Sequence, residues 1–451
     1  MTATLPGTPA PAHARGSDPP GRRRRWLRWV LAAVAVLALV AAGLTAAAYR
    51  HLNANLKAAP LFAGTTGDAG VETPDAFGNS PINLLVIGSD GRGNPADCAI
   101  GGDCGSGGAN ADVEMVVHVS ADRTNATVMS VPRDTVTLLP ACRDPKSGAS
   151  MAEHTGQINS TLAYGPGCTV AAVHALTGIP IDHFVMADFA GVVAMSDAVG
   201  GVEVCVSDNV YDPYSHLKLT AGSHTLQGLA ALEFLRSRHA FGDGSDLGRT
   251  YAQHLFLSAM IRNLKSAGTL ANPAAVYSLA DAATKAVTVD TGLASIPSLV
   301  GLAADLDKVA THRVTFTTMP NGPDPANAAR VVPAPAAAAL FAAIAADQPL
   351  TSDTAASSSA SATPSPGTPA AVAKPSASSG SGRPASASAS SASAASASAA
   401  ASASAAAHAQ TADATGTCAP VSRDRTVVLN GRAMSPMAAF AASPAVPVSA
   451  P

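Results

Sequence analysis

The stretch "INLLVIG", residues 82–88, decides the fold of this chain. An apolar, β-branched run that ends at Gly88 is typical of a buried strand. Two further apolar runs, "VEMVVHVS" (113–120) and "ATVMSV" (126–131), flank the polar segment "ADRTN" (121–125). A polar turn between two such runs predicts a β-hairpin. The sheet therefore begins at residue 82 and continues into this hairpin.

Helical and strand patterns alternate after the hairpin. In chain order they are "TVAAVHALTG" (a helix closed by Gly178), "HFVMAD" (a strand), "FAGVVAMSDAVG" (a helix closed by Gly200) and "VEVCV" (a strand). Residues 313–346, from "RVTFTTMP" into an alanine-rich helix, complete the domain. This alternation predicts an α/β fold, a layered α/β/α domain with a central mixed sheet.

Bulk composition limits the function. The chain has 451 residues, a formal charge of -3 and only 13% charged residues. Nucleic-acid binding normally requires a strongly basic face, so this composition gives no support for a nucleic-acid partner or an intracellular regulator of transcription. Any site for an anion must be local.

An uncharged segment near the N-terminus predicts one transmembrane helix. Trp29 to Ala48 carries no charge and follows the basic residues Arg22–Arg25 and Arg28. About 20 apolar residues cross a bilayer, and the side with more arginine stays in the cytoplasm. We therefore expect a cell-membrane protein with a disordered cytoplasmic tail at 1–25, a single-pass helix at 26–50, and an extracellular remainder. A signal peptide cleaved near residues 46–48 is the alternative.

The exported part divides by composition. Residues 51–79 are expected to form a linker and residues 80–347 the folded domain. Residues 348–451 are expected to form a disordered tail, because Thr351 to Thr417 is almost entirely Ala, Ser, Pro and Gly and lacks large apolar residues.

Six cysteines lie in the exported part, where disulfides persist. Their spacing fits no zinc template, so we expect covalent staples, although six cysteines allow 15 pairings. The pairs considered are Cys98 with Cys104 as a short local loop, Cys142 with Cys168, and Cys205 with Cys418, which would tether the C-terminal segment.

The segment "LRSRHAFGDGSDLGRTYAQ", residues 235–253, concentrates guanidinium groups. Arg236 and Arg238 are two apart, so they converge only if the preceding helix ends near Leu235. Arg249 and Gln253 are four apart and share one face near the start of a helix. Guanidinium forks at a helix N-terminus suit a phosphate group.

That second helix is predicted from Asp246, as its N-cap, to about Lys265. The Arg249 face continues as Phe256, Met260 and Leu264. A polar tip above an apolar stripe would suit a ligand with a charged head and an apolar tail; an ordinary core-facing stripe gives the same pattern.

Charged residues also stand where strands meet loops. Asp90 and Arg92 follow the first strand, Asp112 precedes the second, and Arg133 and Asp134 follow the third. Ligands of open α/β sheets gather at the carboxyl ends of strands, so these residues are placed for a shared site. Solvated turn charges are the alternative for each residue taken alone.

Taken together and in order, these segments resemble the LytR-CpsA-Psr family of envelope proteins, in its actinobacterial form. The resemblance covers residues 82–265, and more weakly extends to 347. The matching blocks are "NLLVIGSDGR", "ADVEMVVHVSADR", "MSVPRDT", "INSTLAYGPGC", "IDHFVMADFAGVVAMSDAVGGV" and "FLRSRHAFGDGSDLGRTYAQ". The resemblance implies a phosphotransferase that moves a glycopolymer from a polyprenyl-linked phosphate carrier onto peptidoglycan, with a pyrophosphatase side activity.

The resemblance also assigns residues. It implies Mg²⁺ as cofactor, with Asp90 and Asp112 as ligands. Pyrophosphate binding falls on Arg133, Arg236, Arg238, Arg249 and Gln253, and Arg92 matches the first arginine of the family. Gln157 stands where the family often has lysine, and residues 93–110 lengthen the loop between the two aspartates.

The catalytic group is expected to be Arg92, Arg133 and Asp134. Asp134 is a candidate base for the acceptor hydroxyl by location, and bonding to Arg133 or the backbone is its alternative role. The isolated histidines, His239 among them, are expected to be packed or hydrogen-bonded. The sequence has no G-x-S-x-G, Walker A or H-E-x-x-H motif. The alternative function is a non-catalytic protein that binds polyprenyl phosphate or glycopolymer and regulates envelope biogenesis.

Overall fold

The computed structural model describes residues 20–61, 69–71, 74, 77–91, 97–98, 100, 109–265, 272–350, 410–412 and 418–449. The chain divides into two compact units, Met1–Ala54 and Asn55–Pro451. Arg92 and Cys104 lie outside the described residues, and so do the predictions that rest on them.

The N-terminal helix α1, Pro20–Asn55, contains the predicted membrane span. Its segment Trp26–Asn55 has 30 residues, and the most apolar 18-residue window in it has a mean hydropathy of 2.5 and no buried residues. At ~1.5 Å per residue, that length exceeds the ~30 Å of a hydrocarbon layer. The helix is therefore long and apolar enough to cross a membrane.

The helices of the second unit are α2 Pro166–Thr177, α3 Phe189–Ala198, α4 Gly228–Arg236, α5 Asp246–Lys265, α6 Pro273–Ala286, α7 Ile296–Lys308, α8 Pro335–Ala345 and α9 Pro436–Ala442, with 3₁₀ turns at Ile158–Tyr164 and Thr311–Arg313. The strands are β1 Lys57–Ala59, β2 Ile82–Ser89, β3 Ala111–Val119, β4 Ala126–Val131, β5 Val136–Leu139, β6 Cys142–Arg143, β7 Ser150–Met151, β8 His154–Gln157, β9 His183–Ala187, β10 Val202–Val206, β11 Val210–Tyr211, β12 Lys218–Leu219, β13 Gly222–Leu226, β14 Val287–Asp290, β15 Val314–Thr318, β16 Asn321–Asp324, β17 Asn327–Pro333, β18 Gln410–Thr411, β19 Val427–Leu429 and β20 Arg432–Met434.

A mixed sheet of eight strands, in the order β1-β14-β9-β2-β3-β4-β15-β18, organises the domain. Neighbours β2 and β9 run parallel, whereas β2 and β3, and β3 and β4, run antiparallel. The strand at 82–88 and the hairpin that follows it are therefore confirmed. Strand β10 is a strand as expected, but it pairs with β13 in a separate ribbon and not with the central sheet.

Both faces of the sheet are covered, which makes the domain a layered α/β/α fold. In β2, Leu85 and Ile87 pack in the core that includes residues of α2 and α8. The alternate residues Leu84 and Val86 pack on the other face, against residues of α7. Successive strand side chains point to opposite faces, so a strand buried on both sides reads as an unbroken apolar run.

Two helix ends form as their glycines predict. Gly178 has φ +68°, and its N–H donates to His174 O after α2. Gly200 has φ +76°, and its N–H donates to Asp197 O after α3. Positive φ costs glycine no steric penalty, so both positions close their helices.

The domain boundaries predicted from composition are wrong at two places. Strand β1 lies inside the expected linker, yet it pairs in parallel with β14 at the sheet edge. Residues 418–449 lie inside the expected disordered tail, yet they form β19, β20 and α9. The tight turn of this hairpin is Asn430-Gly431, with φ of 51° and 74°, the residue pair that a two-residue hairpin favours.

Among the described residues, two disulfides join Cys142 to Cys168 and Cys205 to Cys418. Both are among the expected pairings. The second bond brings the C-terminal segment back to the domain, where Ala419 and Val421 are buried in the core of β10, α4 and α5. Composition hid this contact, because few apolar residues in a short segment suffice once a disulfide holds it.

Candidate functional site

A polar cavity of about 290 Å³ lies at the ends of the central strands. It is lined by Asp90, Asp112, Arg133, Phe189, Asp212, Tyr214, Ser215, Arg236, Arg238, His239 and Arg249. Residues up to 159 positions apart in the chain, from Asp90 to Arg249 (249 − 90), thus share one cavity. The predicted convergence of arginines and aspartates is what the fold produces.

The sheet positions the first group. Asp90 directly follows β2, Asp112 lies on β3, and Arg133 follows β4 after Pro132. Strands β2 and β3 are paired, with a register shift between Gly88 and Ser89. A bulge of this kind re-aims side chains at a strand end, which places both aspartates toward the cavity.

The second group depends on where α4 ends. The helix stops at Arg236, and Ser237 is extended with φ −70° and ψ 114°. Extended backbone turns residues two apart to the same side, so Arg236 and Arg238 line the same cavity. The condition predicted for their convergence, a helix end near Leu235, is met within one residue.

The start of α5 fixes Arg249. Asp246 is the first helical residue, and Ser245 rather than Asp246 fills the cap, because its Oγ accepts a bond from Leu247 N–H at 3.1 Å. A Cβ on Gly248 would lie 2.1 Å from Phe241 O, so glycine is needed for the loop to close against the helix. Because Ser245 caps the helix, the Asp246 carboxylate is available for a different contact.

Two carboxylates hold the arginines in place. Asp112 Oδ1 pairs with Arg133 Nη1 and lies 3.5 Å from Arg238 Nη2. Asp246 Oδ1 lies 2.5 Å from Arg249 Nη2 and 3.6 Å from Arg238 Nε. Arg238 bridges the two carboxylates, so the guanidinium groups are arranged before any ligand arrives.

Arg249 is buried, with 3% of its side chain exposed. Its Nη2 donates to the carbonyl of Asp112 at 2.9 Å, and burial lowers its pKa to about 10. The guanidinium therefore stays charged at neutral pH. In the described part of the chain, the buried Nε atoms of Arg249 and Arg133 have no hydrogen-bond acceptor. Unsatisfied buried donors of this kind are suited to an anion.

Asp90 and Asp112 are the candidate metal ligands. Asp90 Oδ1 accepts from Asn110 N–H at 2.5 Å, and Oδ2 accepts from Asn110 Nδ2 at 3.3 Å. Asp112 Oδ1 is buried, and its contacts among the described residues are the ion pairs with Arg133 and Arg238. Mg²⁺ is usually held by one or two carboxylates together with substrate phosphates, so two aspartates in one cavity are a fitting donor set.

A second, apolar cavity of about 160 Å³ adjoins the polar one. Four residues line both cavities: Asp112, Phe189, Arg236 and Arg249. The other lining side chains are mainly aliphatic or aromatic, from β2, β3, α3, α4 and α5. Arg236 lies with its guanidinium carbon 4.5 Å from the centre of the Phe189 ring, at the junction of the two cavities.

The predicted stripe on α5 faces this apolar cavity. Phe256 and Met260 line it below Arg249 and Gln253, whereas Leu264 does not belong to the lining. Gln253 Nε2 donates to Leu235 O at 3.1 Å, which ties α5 to the end of α4. The helix therefore presents a charged end to one cavity and an apolar face to the other.

Asp134 has the structural role that was considered for it. Its Oδ1 accepts from Gln157 Nε2 at 2.9 Å and lies 3.5 Å from Arg133 Nε. Asp134 is not among the described residues that line the polar cavity. We interpret it as a residue that positions Arg133, with Gln157 as its second partner.

Sequence reasoning missed four residues that line the polar cavity, Phe189, Asp212, Tyr214 and Ser215. It also gave Asp246 only the role of an N-cap, whereas Asp246 pairs with two of the arginines. Phe189 and Asp246 lie in blocks that carry the family resemblance, but the sequence gave no sign of their contacts beyond the helical spacing of Asp246 and Arg249, which are three apart. His239 was expected to be packed, and it also lines the cavity.

Comparisons with known proteins agree on one family. A model of the LytR_cpsA_psr family matches residues 53–342. Cell wall biosynthesis protein LcpA of Corynebacterium glutamicum is 32% identical over 339 residues, which are 69% of this chain and 62% of that protein. Polyisoprenyl-teichoic acid–peptidoglycan teichoic acid transferase TagT of Bacillus subtilis is 28% identical over 256 residues, 55% of this chain and 73% of that protein.

A solved LytR-Csp2A-Psr enzyme from Actinomyces oris is 24% identical, with a TM-score of 0.48, and the match covers 64% of this chain and 96% of that one. The chain spans 62% and 48% of the lengths of two corynebacterial relatives.

Proposed function

Because the family model spans more than half of it, this chain belongs to the LytR-CpsA-Psr family, and from that premise we propose that it is a phosphotransferase of cell wall assembly. It would move a glycopolymer from a polyprenyl-(pyro)phosphate carrier onto peptidoglycan, on the outer side of a membrane that α1 would cross. The proposal extends to this chain what the printed names say of its relatives, a role in cell wall biosynthesis and the transfer of teichoic acid to peptidoglycan.

The observation that supports the proposal most is the junction of the two cavities. A carrier of this class has an anionic diphosphate and an apolar chain, and the two cavities offer a cationic and an apolar compartment that share Arg236 and Arg249. One ligand can therefore place its head among arginines while its chain contacts Phe256 and Met260. Glycopolymer and peptidoglycan would approach from the polar side.

The proposed chemistry needs little beyond positioning and charge. As the acceptor hydroxyl attacks phosphorus, negative charge grows on the phosphoryl oxygens and the leaving oxygen. Arg133, Arg238 and Arg249, held by Asp112 and Asp246, would donate hydrogen bonds to those oxygens. Arg236, which lies over the Phe189 ring, would do the same. Gln253 would hold α5 against α4 so that Arg249 keeps its place. Arg92, which the family resemblance includes, remains an expectation.

We propose Mg²⁺ as the cofactor, held by Asp90 and Asp112. When bound, it would neutralise charge on the diphosphate and polarise the reacting phosphoryl group. Asp112 would then contribute both to the metal and to the alignment of Arg133.

The aspartates separate this function from the alternative, a non-catalytic binding protein that regulates envelope biogenesis. Binding needs the arginines, but transfer should also need the metal ligands. In the full-length protein, Asp90→Ala should abolish turnover of a polyprenyl-diphosphate-linked glycan while keeping most of the affinity for it. The matched control is Asp307→Ala, which removes an aspartate that is 67% exposed and does not line either cavity.

Equal losses of affinity and turnover in Asp90→Ala would contradict the catalytic function. Orientation has its own test. A reporter that works only outside the cytoplasmic membrane should be active when it is fused after Pro451. Activity of a reporter that works only in the cytoplasm, fused at the same position, would refute export.

A further inference from the structure

The polar cavity holds a histidine that the proposed phosphoryl transfer has not yet used. His239 follows Arg238 directly and lines the same cavity. Its side chain is 35% exposed, whereas its Nδ1 is buried and makes no hydrogen bond to any described residue. In an imidazole ring Nε2 lies across from Nδ1, so the partly exposed ring has a second nitrogen free to meet a substrate.

A buried carboxylate stands behind this ring. Asp212 has no exposed surface, and its Oδ2 lies 3.9 Å from His239 Nδ1. Three donors fix that carboxylate: Tyr214 N–H at 3.0 Å, Ser237 Oγ at 2.7 Å and His239 N–H at 3.2 Å. At 3.9 Å the contact between Asp212 Oδ2 and His239 Nδ1 is an ion-pair distance rather than a hydrogen bond. The charge of the buried carboxylate favours a proton on Nδ1, which leaves Nε2 able to accept one.

One contact packs against the ring and two hydrogen bonds fix its backbone. The Tyr214 ring packs against the imidazole with centroids 4.4 Å apart at 40°. The His239 N–H donates to Asp212 Oδ2, and the His239 carbonyl accepts a bond from Thr426 Oγ1 at 2.6 Å. The backbone that carries the ring is therefore fixed on both sides of the side chain.

We propose that His239, oriented by Asp212, is the general base for the acceptor. This inference rests on the proposed phosphotransferase function and supplies a role that Asp134 does not fill. The acceptor oxygen forms its bond to phosphorus while its proton moves to His239 Nε2. The bond from that phosphorus to the bridging oxygen of the carrier breaks, and its electron pair leaves on the lipid phosphate.

The charged surroundings favour this role. The titratable and charged groups that share the cavity with His239 are Asp90, Asp112, Asp212, Tyr214, Arg133, Arg236, Arg238 and Arg249. The arginines attract the diphosphate next to the imidazole, and Asp212 stabilises the imidazolium that forms when the proton arrives. Histidine is the side chain used most often for such a transfer.

The test uses the full-length protein in detergent micelles, with Mg²⁺, geranylgeranyl diphosphate as the carrier and water as the acceptor. Phosphate release is followed from pH 5 to 9, and binding of geranylgeranyl diphosphate is measured separately. The variants are His239→Gln and Asp212→Asn. The control is His154→Gln, which replaces an exposed histidine of β8 outside the cavity.

We expect His239→Gln to lower the rate of phosphate release by about 10²- to 10⁴-fold, with affinity changed by less than about twofold. The unchanged protein should lose activity toward acidic pH, and this fall should be absent from His239→Gln. Asp212→Asn should lower the rate as well. In His239→Gly, added imidazole should restore part of the lost rate, a result that a purely structural role for the ring would not give.

Retention of the rate and of the acidic fall by His239→Gln would overturn the inference. So would an equal loss of affinity, which would make His239 a phosphate-binding residue, or a failure of imidazole to rescue a His239→Gly protein that unfolds like the parent. If the unchanged protein releases no more phosphate than Asp90→Ala, the phosphotransferase proposal fails and the inference falls with it. Activity in the unchanged protein with no effect of His239→Gln refutes the inference alone.

Discussion

Replacing Arg238 by methionine tests the anion site with the least disturbance to the fold. Arg238 is 34% exposed, and its ion pairs to Asp112 and Asp246 span 3.5 and 3.6 Å. Both carboxylates keep a closer partner, Arg133 and Arg249 respectively. Partly exposed ion pairs contribute about 0–1 kcal/mol, so the free energy of unfolding should fall by no more than about 1 kcal/mol.

The effect on binding should be larger. A guanidinium in this cavity can donate a charge-assisted pair of hydrogen bonds to a diphosphate, worth about 1.5–3 kcal/mol. Loss of that energy corresponds to a dissociation constant raised roughly 10- to 150-fold. Methionine keeps an unbranched stem of similar reach, so lost packing contributes little.

The assay is isothermal titration calorimetry of geranylgeranyl diphosphate with full-length protein, and Arg432→Met is the charge-matched control. Arg432 is an exposed residue of β20 that lines neither cavity. The control should bind as the unchanged protein does. An Arg238→Met protein with unchanged affinity would refute the assignment of this cavity to the diphosphate, and equal weakening in both variants would mean that only net charge matters.

Three further predictions concern the disulfide, a histidine and the apolar cavity. Replacing both Cys205 and Cys418 by serine should lower the free energy of unfolding by about 2–5 kcal/mol in chemical denaturation, because a long loop is released; a change below about 0.5 kcal/mol would contradict this. The hydrogen bond to Asp290 raises the pKa of His183 above its ordinary 6.5, so the stability contributed by this pair is complete below pH 6.5 and is lost as pH rises through the raised pKa. His183→Gln should therefore destabilise the protein more at pH 5.5 than at pH 8.5 in thermal unfolding, and the reverse order would refute that sign. Met260→Trp should fill the apolar cavity and lower the affinity for geranylgeranyl diphosphate by about 10- to 100-fold, while the affinity for inorganic pyrophosphate stays the same. An equal loss of affinity for both ligands would mean that the lipid chain binds elsewhere.

Sequence patterns sufficed for the sheet because its strands are buried on both faces. The unbroken run of β2 and the polar turn between β3 and β4 are local signals, and so are the glycines that end α2 and α3. The convergence of Arg236 and Arg238 was also predictable, since it depended only on where one helix ends. Each of these features is set by residues within a few positions of one another.

Features that depend on distant partners were not predictable. Strand β1 has three residues, and only its pairing with β14 makes it a strand. Asp212 and Tyr214 belong to the site because the loop after β11 reaches Ser237 and His239. The sequence also could not predict that Asp246 forms ion pairs with arginines, because an acidic residue at the start of a helix is equally suited to capping it.

The C-terminal segment was misread for a related reason. The stretch from Thr351 to Thr417 lacks large apolar residues, and the short segment after it was grouped with it as disordered. Yet Phe241 pairs with Val421 in a β-bridge, and Gly242 N–H donates to Pro420 O at 3.0 Å. The disulfide at Cys418 places these residues beside the loop that carries Arg238. Composition reports what a segment can bury alone and says nothing of a surface made elsewhere in the chain.

That β-bridge has a consequence for the order in which the protein matures. The loop between Arg238 and Arg249 is braced by residues made much later; Thr426, for example, bonds to a carbonyl 187 positions earlier in the sequence. When the ribosome has synthesised the loop, it has not yet synthesised the C-terminal residues that contact it. The disulfide between Cys205 and Cys418, which holds those residues in place, forms only where thiols are oxidised. With the proposed orientation, the loop that carries Arg238 would lack this support until the last residues have been translocated and Cys418 has paired with Cys205, so activity would follow export rather than translation.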